Sequence, residues 1–287
     1  MPLSHPPLDR LPIRRLTSDD LLACADLSEN RGWLREERKW GLLLTAGVGY
    51  GIDDPAGKGL LTACVVTSYG PGLAAIGMVL VAEAYERRGV GRRLMRHVLA
   101  EAGDTPLSLY ATSNGQPLYE QLGFTSAGRS EMLRGRFTPT EPAPERTVRA
   151  ATAEDLRPVL RLDQEIFGAD RTHLITRLPA FADHVRVAEE DGEITGFGAL
   201  WPNMDTHVIG PLIARDPGTA QALVASLAAA TDRPLRTDVD TRHTSLLTWL
   251  KSNGLDQIAT TTIMIRSLPD LPGDWSRRFA PLTVAAG

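Results

Sequence analysis

The chain has 287 residues, of which 43% are hydrophobic and 23% charged, with a formal charge of −4. At roughly 100–200 residues per domain this is a two-domain length, too apolar for disorder, and the mild negative charge removes the overall electrostatic footprint of a nucleic-acid binder while leaving a local basic patch open. Two cysteines, Cys24 and Cys64, give no material for a disulfide framework or a zinc site, and no metal is expected.

The opening residues, MPLSHPPLDRLPIRRL, place prolines where a signal peptide needs its apolar core, so the expected compartment is the cytoplasm. The patterning then predicts a strand at 13–16, helices over 19–46 and a strand hairpin at 48–53 and 60–69. The uncharged run Gly59–Ala82 is long enough to raise the question of a membrane span. Ser-Tyr-Gly-Pro-Gly at 68–72 divides it into two buried strands, and no membrane partner is expected. A strand at 73–82, a helix at 90–102, a strand at 107–112, a helix at 115–122 and a strand at 124–135 follow. Hairpins at the front and strand–helix alternation behind them define an α/β chain with an α+β type of mixed sheet.

Phe137–Arg146, with three prolines and no apolar periodicity, reads as an extended linker. It separates 1–136 from 147–287, and the two pieces resemble each other. Ile13–Leu21 and Val148–Leu156 share a β-branched start, an Arg, a Thr, an acidic pair and a Leu. Ala75–Ala82 is echoed by Val208–Ala214, and Leu122-Gly123-Phe124 by Asn253-Gly254-Leu255. One α/β unit is used twice.

The segment with most chemistry is Val81–Leu94. An uncharged strand ends, a short turn follows, and Arg87-Arg88-Gly89-Val90-Gly91-Arg92 opens a helix. Glycines allow close backbone approach, helix-start amides lack intrahelical acceptors, and arginines add positive charge, so a phosphate or pyrophosphate suits the site. A plain glycine-bearing turn beside a solvated arginine face explains the same letters. No Gly-Lys-Ser/Thr follows Gly91, and Leu94 stands where a dinucleotide fingerprint has its third glycine, so neither of those loops fits.

This strand, turn and helix resemble the pyrophosphate loop of the GNAT superfamily of acyl-CoA-dependent N-acyltransferases, with Glu86 at a position where the family has Gln or Arg. Leu109–Phe124, containing Ala-Thr-Ser-Asn-Gly-Gln-Pro-Leu-Tyr, is similar to the family's second element, and to a bacterial subgroup that carries a second, degenerate GNAT-like domain. The resemblance implies two tandem GNAT domains, 1–136 and 147–287, and acetyl-CoA as cosubstrate without a metal. It implies further that Val79 and Val81 pair with the pantetheine arm in a slot between the strands at 73–82 and 107–112. Arg87, Arg88, Gly89, Val90, Gly91 and Arg92 would hold the pyrophosphate, and Thr112 is counted with the cofactor-binding residues, it and Asn114 sitting where a family Asn orients the next helix. Tyr119 would protonate the leaving thiolate; a core tyrosine is its other reading. Glu83 is the candidate base, against a solvated turn residue. His97 reads as surface, and Trp33 and Trp40 as acceptor lining or core.

In the second repeat Arg215–Thr219 replaces the glycine loop and Leu250 stands where Tyr119 does, so catalysis is expected in the first repeat alone. Residues 1–146 hold 17 basic and 17 acidic residues, which puts the whole −4 on 147–287. Asp163, Asp170, Asp238 and Asp240 there either present a cationic amine or form a solvated surface. The expected activity is acetyl transfer to a small-molecule or protein amine by a monomer or homodimer, with a non-catalytic acyl-CoA or metabolite sensor as the other class.

Overall fold

The computed structural model describes residues 7–57, 59–140 and 142–287, so the first two prolines of the N-terminal stretch lie outside it. It divides into two units, one running to Leu107 and including Ala286, the other Ser108–Ala285 with Gly287.

The first unit contains β1 (Arg14–Leu16), α1 (Leu21–Asn30), α2 (Glu37–Ala46), β2 (Val48–Asp53), β3 (Leu60–Ser68), β4 (Ala74–Val81) and α3 (Val90–Ala102). β1, β2, β3 and β4 pair antiparallel in that order. Leu16 lies across Gly49 and Gly51, where an added Cβ would meet its side chain at 2.8 and 2.9 Å, so these two glycines admit a leucine into the β1–β2 pairing. α3 buries Val90, Leu94, Met95 and Val98, an i, i+4, i+5, i+8 stripe on one helix face. Val90 joins Leu11, Ile52 and Leu61 in a core cluster against which Val81 and Tyr85 pack. Trp40 is fully buried and its indole N–H donates to Ser28 Oγ at 2.9 Å, which makes it a core residue. Trp33 is exposed.

β4 carries one residue more than β3 between the pairs Val65–Gly77 and Ala63–Leu80. The surplus makes a β-bulge at Met78, whose φ of +52° lies in the left-handed region. Val79 and Val81 are the half-buried residues beyond it.

The second unit takes in β5 (Leu107–Ala111, its first residue in the first unit), α4 (Gln116–Gln121), β6 (Thr125–Gly135), β7 (Thr147–Ala150), α5 (Leu156–Phe167), α6 (Thr172–Ile175), α7 (Leu178–Phe181), β8 (His184–Glu190), β9 (Glu193–Asn203), β10 (Thr206–Ala214), α8 (Pro217–Ala228), β11 (Leu235–Asp240), α9 (Thr244–Ser252), β12 (Asp256–Arg266) and β13 (Arg278–Ala280). Its strands are ordered β5, β12, β6, β11, β10, β9, β8, β7, with β13 on β10. β10 and β11 are parallel, whereas β12–β6, β6–β11 and β8–β9 are antiparallel, so the sheet is mixed.

That order exchanges strands between the repeats. β12, the long closing strand of the second repeat, lies next to β5 of the first, and β6, the closing strand of the first, lies between β12 and β11 of the second. The exchange is tight at one point: a Cβ on Gly135 would sit 2.0 Å from the Gly254 carbonyl oxygen. Among its described residues the proline-rich segment after β6 has no regular structure, and its start is held to the end of α9. Thr138 N–H donates to Asn253 O at 2.9 Å, and Phe137 packs on Trp249 at 5.4 Å between ring centroids.

The similar openings of the two repeats are one ion-paired cap used twice. Arg14 forks onto Asp20 at 2.7 and 3.0 Å while Asp20 accepts the Thr17 N–H at 2.9 Å. Arg149 forks onto Asp155 at 2.7 and 2.8 Å while Asp155 accepts the Thr152 N–H at 2.7 Å. In each, Thr and Asp satisfy each other's backbone N–H before a helix.

Candidate functional site

In the first unit, β4 ends at Val81, a 3-10 turn spans Glu83–Tyr85, and Glu86-Arg87-Arg88-Gly89 leads into α3. Gly89 is left-handed at φ +80°, caps α3 without a side-chain hydrogen bond, and has only open space where a Cβ would be. Arg87 is also left-handed, at φ +56°. The helix thus starts with main-chain N–H groups that no capping side chain takes, in a solvent-facing turn flanked by the exposed Arg87 and Arg88. A 13-residue helix adds its dipole, so a multiply charged anion is the ligand that this local chemistry favours.

The turn is tied down from α1. Asn30 Oδ1 accepts the Glu83 N–H at 2.8 Å, and the Arg31 guanidinium pairs with the Glu86 carboxylate. Glu86, the departure from the family pattern, therefore has a partner in the adjacent residue of α1's end. Tyr85 donates to Asp54 at 2.6 Å and lies 5.7 Å beneath the Arg88 guanidinium. Arg93 turns away to the carbonyls of Leu8 and Leu11, the first at 3.1 Å. Glu83 itself is exposed. His97 is half-buried with its ring edge-on to Tyr50 at 5.1 Å, more enclosed than the surface placement expected from its neighbours.

Tyr119 belongs to the second unit. It is buried on α4, with Phe124 edge-on at 6.0 Å, and its carbonyl accepts from Leu122 at 2.9 Å and Phe124 at 3.0 Å. Thr112 heads the same helix: its carbonyl accepts from Gly115 at 3.0 Å and Gln116 at 2.9 Å. Gln116 in turn accepts from Thr262 Oγ of β12 at 2.9 Å, so a strand of the second repeat buttresses the helix that carries Tyr119. No local pattern in the sequence signals that support, or the Asn30–Arg31 tether.

The second repeat differs at both places. Asp216 caps α8 with its own carboxylate, accepting from Thr219 N–H at 2.8 Å, so a fixed negative charge already occupies that helix start. Leu250 is fully buried in an apolar cluster with Leu133, Val239 and Leu246. The four aspartates also have partners. Asp163 pairs with buried Arg171 at 2.7 Å, Asp240 with Arg242 at 2.7 Å and Asp238 with Arg236 at 3.6 Å, while Asp170 accepts from Thr172 N–H at 2.9 Å. The first three are buried carboxylates matched by arginines rather than a solvated surface, whereas Asp170 is exposed and held only by a backbone N–H.

Residues 49–126 match a family model described as an acetyltransferase (GNAT) domain, and residues 159–280 match a second model of the same description. The chain belongs to the GNAT superfamily, and with two such domains in series it is a tandem GNAT acyltransferase. It is 29% identical over 213 residues, 73% of this chain and 75% of the other, to the uncharacterised N-acetyltransferase YitH of Bacillus subtilis. The fold is similar to that of a proposed acetyltransferase from Pyrococcus horikoshii, with TM-score 0.79 at 20% identity over 96% of both chains. It is also similar to a tandem GNAT protein from the clavulanic acid biosynthesis pathway, with TM-score 0.62 at 14% identity over 91% of this chain and 100% of that one. Among the described residues no helix is long and apolar enough to cross a membrane, and no cluster of His, Cys, Asp and Glu is arranged to hold a metal ion.

Proposed function

We propose that the first repeat, residues 1–136, transfers the acetyl group of acetyl-CoA to an amine, while the second, 147–287, has lost catalysis and supports the first. The observation that carries this is the contrast between the two helix starts: open, glycine-capped and arginine-flanked at α3, closed by Asp216 at α8. In this reading the amides at Gly89, Val90 and Gly91 and the side chains of Arg87, Arg88 and Arg92 hold the pyrophosphate. The main chain of Val79 and Val81, beyond the bulge, takes the amide-bearing arm.

A neutral amine attacks the thioester carbonyl, the carbon–sulfur bond breaks, and Tyr119 gives its hydroxyl proton to the departing thiolate. Glu83 receives the proton lost by the amine nitrogen, directly or through water, and backbone N–H near Val79–Val81 polarises the carbonyl. Acceptors are small-molecule or protein amines; the proposed setting is the cytoplasm, as a monomer or homodimer.

The test is release of CoA from acetyl-CoA over an amine panel, with calorimetry of acetyl-CoA binding alongside. Tyr119→Phe, which keeps the ring against Phe124, is expected to lower kcat about 100- to 10,000-fold with little change in the KM for acetyl-CoA, in line with typical general-acid contributions. Tight binding with no CoA release on any amine, and an indifferent Tyr119→Phe, makes the protein a sensor. No binding at all rejects both readings.

A further inference from the structure

The second repeat keeps the skeleton of the proposed ligand groove. β10 repeats the bulge of β4: it has one residue more than β9 between the pairs Ile209–Leu200 and Leu212–Gly198. Before the bulge, His207 and Val208 pair in parallel with Leu235 and Arg236 of β11. Beyond it, Leu212 and Ile213 pair instead with Ala280 and Arg278 of β13. The edge of β10 past the bulge, equivalent to Val79–Val81 of β4, is therefore already taken by an extended peptide. Among the described residues the first repeat has no counterpart of β13, because β6 leads straight to the linker and β7.

The occupant is well fixed. Residues 278–282 are all buried, and a Cβ on Gly210 would lie 2.3 Å from the Pro281 carbonyl oxygen, a backbone-to-backbone approach that glycine alone permits. The Arg278 guanidinium lies between the rings of Phe167 at 4.2 Å and Trp275 at 4.5 Å. His243 Nε2 is 2.9 Å from Arg278 O, with its ring stacked on Phe279 at 4.1 Å. Burial holds the His243 imidazole below its ordinary pKa, which favours the neutral ring in this contact. His243 stands 12 residues before Leu255, as Thr112 stands 12 before Phe124, so the residue at the head of the helix in the proposed groove has become a clasp for the chain itself.

We infer that the second repeat retains an amide-binding groove along β10 whose permanent occupant is residues 278–282 of the same chain. A peptide strand and a pantetheine arm present the same chemistry, amides in an extended chain, and compete for the same main-chain edge. The second repeat is thereby closed to acyl-CoA by occupation as well as by the loss of its phosphate loop. The chain holds one acyl-CoA, an expectation that rests on the reading of the first repeat given above.

Two measurements on the intact protein test this. Calorimetry with acetyl-CoA is expected to give one site per chain; two sites per chain overturn the inference. Hydrogen exchange is expected to show the amides of Leu212 and Ile213 as slow as those of β6, with Phe279→Ala accelerating exchange at these two residues at least 100-fold while β6 stays slow. Ala280→Pro, which disturbs the strand without emptying the core, serves if Phe279→Ala does not fold. Leu212 and Ile213 amides that stay slow when 278–280 exchange fast also overturn it. Absence of any acetyl-CoA binding removes the acyl-CoA reading of the first repeat, and the exchange data then decide alone whether 278–282 occupies the groove.

Discussion

Replacing Gly89 separates two reasons for a glycine at one position. Its φ of +80° is left-handed, and the place a Cβ would fill is empty to 4 Å. The unliganded protein therefore charges a side chain only for the backbone: roughly 1–2 kcal/mol for an L-residue in this region, and less for Asn, which tolerates it. The proposed anion adds a second demand, because the open space at Gly89 is where it approaches the helix start. A Cβ there displaces it from the amides, and a hydrogen bond to a charged group contributes about 1.5–3 kcal/mol, equivalent to roughly 10- to 100-fold in affinity. Gly89→Ala and Gly89→Asn should therefore diverge in urea-unfolding free energy, Ala losing about 1 kcal/mol more than Asn. In calorimetry with acetyl-CoA, both should lose affinity by at least about tenfold. Unchanged affinity in both variants, with stability falling as expected, would refute the placement of the anion over Gly89.

Gly135→Ala drives a Cβ to 2.0 Å from the Gly254 carbonyl oxygen inside the strand exchange, and an overpacking cost of about 3 kcal/mol or more is expected in urea unfolding; a loss no greater than that of Gly89→Ala would contradict the exchange. Burial pushes the thiols of Cys24 and Cys64 up to about 12, so at about pH 8 iodoacetamide should modify neither in the native protein and both in urea, read by mass spectrometry. The Arg149 guanidinium, with the Thr152 N–H, holds the Asp155 carboxyl well below the usual carboxylate range. The stability it contributes is full above the unfolded-chain value near 4 and is lost as pH falls toward the lower folded value. Asp155→Asn should therefore flatten the fall in unfolding free energy between about pH 5 and about pH 2, and an unchanged acid limb would remove Asp155 as its source.

Much of the candidate site was legible because its causes are local. The strand into Val81, the turn and the Gly89–Gly91 helix start lie within 15 residues, and helix starts, left-handed glycines and apolar stripes are properties of short segments. The repeated Arg-Thr-Asp letters of 13–21 and 148–156 were visible for the same reason, although their meaning as an ion-paired cap needed the fold. The closed helix start of the second repeat was half legible. The missing glycines were apparent, but that Asp216 supplies an anion of its own emerged from its bond to Thr219.

By itself the sequence determined the class of fold, the duplication and the place of the glycine loop, because each is written in the period and order of neighbouring residues. Which repeat each closing strand joins was decided by the tertiary structure. β6 and β12 are both 11-residue strands that follow a short helix and a glycine turn, so nothing local separates pairing within a repeat from exchange between repeats. The same holds for Arg31 reaching Glu86 across 55 positions and for β13 returning to β10, where the energy lies in burial and long-range hydrogen bonds that form only once the sheet exists. A strand pattern states that a segment has an edge to be paired; which partner takes that edge, another strand of the chain or a ligand, is settled by the competition among all of them in the folded protein.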